Sequence, residues 1–240
     1  MVKELTTDNK PEIIYPDSDG KPMSDNTKQF RWIVTIKENL EMLFAKIPDV
    51  FVAGDLLWYP VEGKRKTRIA PDAMVVFGRP KGDSPAETLC ERGSYIQCKE
   101  ENIAPQVVFE VLSPGNTPKE MRNKLQSYDD YGVEEYYVYD PDRINFTGYI
   151  RVGERLRTIE EVDGWVSPRL GIRFQMTPET LEIYQPNGEK FLTFVELNQA
   201  REQERQRADR EQQRADQEQQ RADRLADLLR ERGIDPDQIL

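Results

Sequence analysis

An apolar run followed at once by a helix start constrains the fold of this chain more than any other feature. Residues 106–115 read QVVFEVLSPG, a nearly continuous apolar stretch that contains one carboxylate, Glu110. Such a run is typical of a central strand covered on both faces. The next residues, TPKE at 117–120, have the pattern of a capped helix start and predict a helix over 117–132. A buried strand leading directly into a helix indicates an α/β fold.

Helical and strand patterns alternate along the rest of the body. A broad apolar stripe predicts a helix over 26–46. Residues 1–23 are interpreted as an arm or a short edge strand, and residues 79–105 as a long loop or an insertion. The remaining strands are predicted at 49–61, 69–78 and 134–141, with a hairpin at 145–151 and 155–159 and short β segments at 164–174 and 181–191. This order predicts an α/β fold with a mixed central sheet flanked by helices.

The C-terminal part of the chain is a charged tail that repeats with a period of seven. The sequence QRAD occurs three times, at 206–209, 213–216 and 220–223. Only one position of each heptad is consistently apolar, whereas strong coiled coils need two. The pattern therefore favours a single charged helix, or weak alanine-lined pairing, over an oligomerising coiled coil. The predicted organisation is a folded domain over 1–198, a charged heptad-repeat helix over 199–232 and a C-terminal extension over 233–240.

The chain contains no histidine, which excludes several classes of enzyme. Ser-His-Asp and Cys-His catalysis, a histidine general base and histidine-containing zinc sites are all ruled out. The only cysteines are Cys90 and Cys98, too few for a structural zinc site. The N-terminal residues lack the apolar segment of a signal peptide, and no apolar stretch is long enough to cross a membrane. We therefore expect a cytoplasmic protein with reduced cysteines.

The net charge of -10 resides outside the repetitive tail. Residues 201–232 hold nine arginines and nine acidic residues, which leaves 35 acidic and 25 basic residues in the rest of the chain. This balance argues against binding of nucleic acid through bulk charge. It is compatible with a carboxylate-rich metal site, because the ion itself supplies positive charge.

Three side chains form the candidate catalytic constellation. Glu110 in its apolar strand has two interpretations that the strand alone does not separate, a structural ion pair and a metal ligand. Asp72 opens a neighbouring predicted strand, and two carboxylates on adjacent strands can hold one Mg²⁺ or Mn²⁺ ion. Lys124 shares one face of the following helix with Tyr128, so we expect it to lie near the carboxylates.

These residues resemble the signature of the PD-(D/E)XK nuclease superfamily. The pattern Pro71-Asp72, then Glu110, then Lys124 is most similar to the restriction-endonuclease-like branch that is greatly expanded in cyanobacteria. The similarity also includes the segments 49–60, 71–82, 103–116, 131–142 and 164–174 and the charged tail, and so covers nearly the whole chain. It implies a restriction-endonuclease-like core and a metal-dependent endonuclease that hydrolyses DNA.

The resemblance also implies roles for individual residues. Asp72, Glu110 and the backbone carbonyl of Val111 would hold Mg²⁺, or Mn²⁺, and Lys124 would position the attacking water. The superfamily usually carries its lysine two residues after the glutamate, where this chain has Leu112. In this branch the lysine lies on the following helix, at the place of Lys124, and Glu120 stands where an aspartate is common.

Further expectations concern the partners of the domain. The basic turn that precedes Asp72 is either a grip on DNA backbone phosphates or a solvated hairpin tip. Its basic residues are Lys64, Arg65, Lys66 and Arg68. Enzymes of this superfamily often act as dimers, so the sequence leaves open whether this protein forms a homodimer. The alternative function is a catalytically degenerate nuclease fold that binds DNA, or that binds another protein through its helical tail.

Overall fold

The computed structural model describes residues 26–81 and 92–232. The predicted arm at 1–23, the extension at 233–240 and Cys90 lie outside the described residues. Cys98 is exposed and forms no disulfide with a described residue. The described part of the chain contains no helix that is both long and apolar enough to cross a membrane.

Helix α1 spans Thr27–Leu43, inside the predicted range. Asn26 caps it, because its side-chain oxygen accepts hydrogen bonds from the first free backbone N–H groups. Ile33, Ile36 and Leu40 lie on its buried face and pack against the central sheet. The predicted apolar stripe was too broad, since Phe30 is 57% exposed.

The core is a six-stranded mixed sheet with the strand order β1-β3-β5-β6-β7-β8. Only the β5–β6 pair is parallel, and the other four pairs are antiparallel. The predicted α/β fold with a mixed central sheet is thereby confirmed. The strands are β1 Val50–Gly54, β3 Ala73–Phe77, β5 Val107–Val111, β6 Glu135–Asp140, β7 Asn145–Val152 and β8 Arg155–Thr158.

Strand β5 lies in the middle of this sheet, and all five of its residues are buried. It is covered on both faces, as its apolar sequence predicted. Helix α2, Pro118–Asp130, connects β5 to β6 and begins with a complete capping box formed by Thr117 and Glu120. Gly132 follows the helix with φ +90°, so it ends where the sequence predicted.

Two sequence predictions for the first half of the sheet were wrong. The strand predicted over 49–61 is interrupted at Asp55, where the backbone has φ +48° and leaves the sheet. The short strand β2, Trp58–Tyr59, follows and pairs in parallel with β4, Tyr95–Ile96. The segment 79–105 is therefore more than a loop, since it contains β4 and the 3₁₀ turn Gln97–Lys99.

A small antiparallel pair completes the body, formed by β9 Arg173–Met176 and β10 Leu181–Tyr184. The chain separates into two compact units at the boundary between Phe191 and Leu192. The second unit contains α3, Phe194–Glu231, a single helix of 38 residues that buries none of them. The helix begins five residues before the predicted tail, at a capping box of Thr193 and Glu196.

Candidate active site

Glu110 projects from the buried centre of the sheet and is only 3% exposed. An ionised carboxylate in such a place requires charged or hydrogen-bonding partners. The ammonium of Lys124 lies 2.8 Å from Oε1 and 2.7 Å from Oε2. The hydroxyl of Tyr128 donates a third hydrogen bond to Oε1, at 2.5 Å. The buried charge is therefore fully paired by two side chains of α2.

The local sequence explains why α2 supplies both partners. The capping box fixes the start of the helix a few residues after β5. Lys124 and Tyr128 are four residues apart and so share the helix face that covers the strand. The Lys124 ammonium also donates to the carbonyl of Ala70, at 3.1 Å. Burial disfavours the charged form of Lys124, but the carboxylates of Glu110 and Asp72 outweigh it and raise its pKa, so the side chain stays a cation.

Asp72 lies immediately before β3, beside Glu110. The antiparallel register pairs Ala73 with Phe109, so the next step brings Asp72 opposite Glu110 on the neighbouring strand. Oδ2 of Asp72 accepts a hydrogen bond of 2.6 Å from the backbone N–H of Val111. The two carboxylates predicted from the sequence are thus placed at the ends of adjacent strands.

The carbonyl of Val111 has a partner that sequence reasoning missed. Gln29, in the first turn of α1, donates from Nε2 to this oxygen at 2.8 Å. Gln29 is 5% exposed, and its Oε1 has no hydrogen-bond partner among the described residues. The only sequence signal for this contact is a polar residue near the capped end of an amphipathic helix.

Aromatic rings enclose the Glu110 side of the site. The ring of Tyr128 lies 6.4 Å from Trp58 and 4.9 Å from Tyr136, measured between centroids. The Tyr136 hydroxyl is buried and has no hydrogen-bond partner among the described residues. Burial, followed by the negative charge of Glu110, raises the pKa of Tyr136 well above its usual value, so the group remains a hydrogen-bond donor.

The remaining residues named from the sequence lie just beyond β5, at the start of α2 and in the basic turn. Leu112 is half-buried just beyond β5, and its backbone N–H donates to the Tyr139 carbonyl at 2.7 Å. Glu120 caps α2, although its charge contributes to the raised pKa of Lys124. In the basic turn, Lys64, Arg65 and Lys66 are exposed and Arg68 is half-buried. This turn ends two residues before Ala70, whose carbonyl contacts Lys124.

A second buried carboxylate shows that burial alone does not identify a functional residue. Glu135 on β6 is 1% exposed. It accepts hydrogen bonds from the Tyr137 hydroxyl at 2.8 Å, from the Arg169 backbone N–H at 2.7 Å, and from the Ser167 hydroxyl. These donors lie on the sheet and on the segment 167–169, so Glu135 ties that segment to the sheet. Glu110 differs because its main partner is a cation.

The donor atoms of the site suit a hard divalent cation. Two carboxylates and a carbonyl provide oxygen ligands of the kind that Mg²⁺ and Mn²⁺ prefer. The unpartnered Oε1 of Gln29 adds a further buried acceptor beside the carbonyl. Among residues 26–81 and 92–232 no cluster of three or more His, Cys, Asp or Glu side chains is arranged for a metal. The predicted ligand set has only two such residues and depends on the Val111 carbonyl as the third ligand.

The sheet and the two helices on it define an α/β protein with the mixed central sheet expected from the sequence. A family model named Uma2, described as "Putative restriction endonuclease", matches residues 18–179. The chain belongs to this family, because the match covers more than half of its length. The resemblance found in the sequence is confirmed.

The similarity to individual proteins is weaker than the match to the family model. Among solved structures the chain is similar to "a putative nuclease belonging to DUF820" from Anabaena variabilis. The sequence identity is 18%, the alignment covers 63% of this chain and 78% of that chain, and the TM-score is 0.44. No curated protein matches the chain.

Proposed function

We propose that this protein is an endonuclease that hydrolyses phosphodiester bonds of DNA with the help of Mg²⁺ or Mn²⁺. The arrangement of Asp72, Glu110 and Lys124 carries the proposal. These residues come from three separate elements and meet at the ends of adjacent strands, with the ammonium within 2.8 Å of both Glu110 oxygens. Membership of a restriction-endonuclease family supports the same chemistry.

Each residue has a distinct role in this proposal. Asp72, Glu110 and the Val111 carbonyl would hold the ion, which would supply Lewis-acid activation of the scissile phosphate and of a water. The carboxylates of Glu110 and Asp72 raise the pKa of Lys124, so its side chain is a cation. It acts as a fixed positive charge that orients the attacking water and stabilises the charge developing on the phosphate.

The basic turn provides the proposed contact with DNA. Lys64, Arg65 and Lys66 are exposed on a segment that leads into Ala70 and Asp72. Phosphate contacts from such residues position a duplex without reading its sequence. Local positive charge is needed here, because the chain as a whole carries a net charge of -10.

Plasmid cleavage in Mg²⁺ or Mn²⁺ tests the proposal. Asp72→Asn, Glu110→Gln and Lys124→Met should each slow cleavage by roughly 100-fold or more. Glu135→Gln is the matched control, because it also neutralises a buried strand carboxylate but lies away from the site. It should cut at the wild-type rate at temperatures where it is folded. Equal cleavage by wild type and Glu110→Gln would refute the site.

A second candidate function places the working surface on the tail. Helix α3 buries none of its residues, and it exposes Phe194, Val195, Leu225 and Leu228 by 74, 64, 59 and 51%. The first two lie at the start of the helix and the last two near its end, so each pair offers a partner or a second copy an apolar contact on an otherwise charged helix. In this case the wild type does not cut plasmid DNA. Light scattering of the full chain and of a chain lacking 199–240 tests the homodimer: an unchanged number of subunits means that the tail is not the assembly element.

A further inference from the structure

The buried amide of Gln29 is only half satisfied. Its Nε2 donates to the Val111 carbonyl at 2.8 Å, while its Oε1 is buried and has no partner among the described residues. A buried polar atom without a partner is costly and uncommon, so such an atom in a native structure indicates an unseen donor. The hydrogen bond that Gln29 Oε1 accepts must therefore come from a donor outside the described residues.

The orientation of this amide is fixed by chemistry. Exchanging its oxygen and nitrogen would place two acceptors, Oε1 and the Val111 oxygen, against each other, which is unfavourable. The position of Gln29 is also fixed, because the Asn26 side chain caps α1 and accepts a hydrogen bond from the Gln29 backbone N–H at 2.8 Å. Oε1 and Nε2 are bonded to the same carbon, and Nε2 donates to the Val111 carbonyl. Oε1 therefore lies beside this carbonyl, the proposed third metal ligand.

The other buried amide of α1 behaves differently. Asn39 donates from Nδ2 to the Thr35 carbonyl of its own helix, at 2.7 Å. Gln29 instead reaches across to the end of β5, where the Val111 N–H is already held by Asp72. Both backbone groups of Val111 are therefore fixed by side chains, one from each side of the candidate site.

We propose that Gln29 is a positioning residue of this site. It holds the Val111 carbonyl in place and accepts, through Oε1, a hydrogen bond from a water molecule bound to the divalent ion. The donor that Oε1 lacks in the protein alone is thus supplied when the ion and its water shell bind. This inference rests on the proposed metal-dependent function.

Calorimetric titration of the full chain with Mn²⁺ alone, without DNA, tests the inference. Gln29→Met keeps the length of the side chain but removes the amide, and should weaken Mn²⁺ binding roughly tenfold, as loss of an outer hydrogen bond to a metal site does. Gln29→Ala also removes the amide, without adding a buried charge, and should weaken Mn²⁺ binding by a similar factor. Asn39→Met is the matched control and should leave the dissociation constant unchanged.

Urea unfolding without metal separates this role from a structural one. Gln29→Met should lose affinity for Mn²⁺ while its unfolding midpoint changes no more than that of Asn39→Met. Equal Mn²⁺ affinity of Gln29→Met and wild type would overturn the inference and leave the proposed function intact. If Gln29→Met does not fold, wild-type affinity for Mn²⁺ in folded Gln29→Ala overturns it. A wild type that binds no Mn²⁺ refutes the proposed function itself, and the inference with it.

Discussion

The hydroxyl of Tyr128 lies 2.5 Å from Oε1 of Glu110, on the same oxygen that the Lys124 ammonium contacts at 2.8 Å. The sequence indicated that Lys124 and Tyr128 share a helix face, but it did not show that both bind one carboxylate. Together they neutralise the buried Glu110 carboxylate and donate the hydrogen bonds that water would provide at the surface. Several consequences for stability can be measured directly.

Tyr128→Phe removes one of the donors to a buried charge. We expect the free energy of unfolding to fall by about 2 kcal/mol, because hydrogen bonds to charged groups contribute more than neutral ones. Urea denaturation monitored by circular dichroism measures the loss. Tyr149→Phe is the control, since the Tyr149 ring stacks on Tyr136 but its hydroxyl bonds to no described residue. Similar losses in both variants would contradict the assigned role of the Tyr128 hydroxyl.

Lys124→Met leaves Glu110 without its cation. Removing one partner of a buried ion pair costs about 3–5 kcal/mol, most of it from the uncompensated charge. The double variant Glu110→Gln/Lys124→Met should therefore be more stable than Lys124→Met alone, as a urea double-mutant cycle would show. Additive losses would mean that the two side chains are not energetically coupled.

Asp129 should make the stability of the protein depend on pH in the acidic range. Partial burial opposes its ionisation, but hydrogen bonds from the Leu156 backbone N–H and from Arg155 prevail and lower the pKa of Asp129. A lowered pKa stabilises the fold above the unfolded-state pKa of about 3.9, and this contribution is lost as pH falls through the folded-state pKa.

Asp129→Asn should therefore lower the free energy of unfolding by about 1–2 kcal/mol at pH 7 and by progressively less below pH 4. Urea unfolding at pH 7, 5 and 3 measures the difference from wild type. Asp130→Asn is the adjacent control, because Asp130 is exposed and is expected to have little effect at any of these pH values. If Asp129→Asn lowers the free energy of unfolding equally at pH 3 and pH 7, the charge of Asp129 does not contribute to stability.

Ile144 adopts φ +51° in the turn between β6 and β7, a conformation that is unfavourable for a β-branched residue. Ile144→Gly should raise the free energy of unfolding by about 1 kcal/mol, because glycine adopts this conformation without the steric cost. Thermal unfolding measures the change. Arg143→Gly, one residue earlier and without a positive φ, should lower the melting temperature. An equal decrease in the melting temperature of both variants would contradict backbone strain at Ile144.

The sequence allowed the central part of the site to be predicted because its signals are local. A strand, a capped helix and the four-residue spacing of Lys124 and Tyr128 lie within one short segment, so helix geometry alone brings them over Glu110. Asp72 was predicted from a strand start, and its register opposite Glu110 followed from the antiparallel pairing.

Features that depend on distant contacts could not be predicted in this way. Gln29 looks like an ordinary polar helix residue, and only the packing of α1 on the sheet buries its amide. The break at Asp55 depends on a left-handed backbone and a hydrogen bond from its N–H to the Asp72 carbonyl, at 3.2 Å. Glu135 begins a tyrosine-rich strand and is as deeply buried as Glu110, so only the partners seen in the structure distinguish the two carboxylates.

The connection of β5 to β6 through α2 has a consequence for the order of folding. The contact between Glu110 and Lys124 spans 14 residues, whereas the contacts of Val111 with Asp72 and Gln29 span 39 and 82. Short chain closures cost less entropy and can form early. We expect Thr117→Ala, which weakens the α2 cap, mainly to slow folding, and Gln29→Met mainly to speed unfolding, as stopped-flow kinetics would measure. One half of the candidate site would then be assembled before the rest of the chain closes around it.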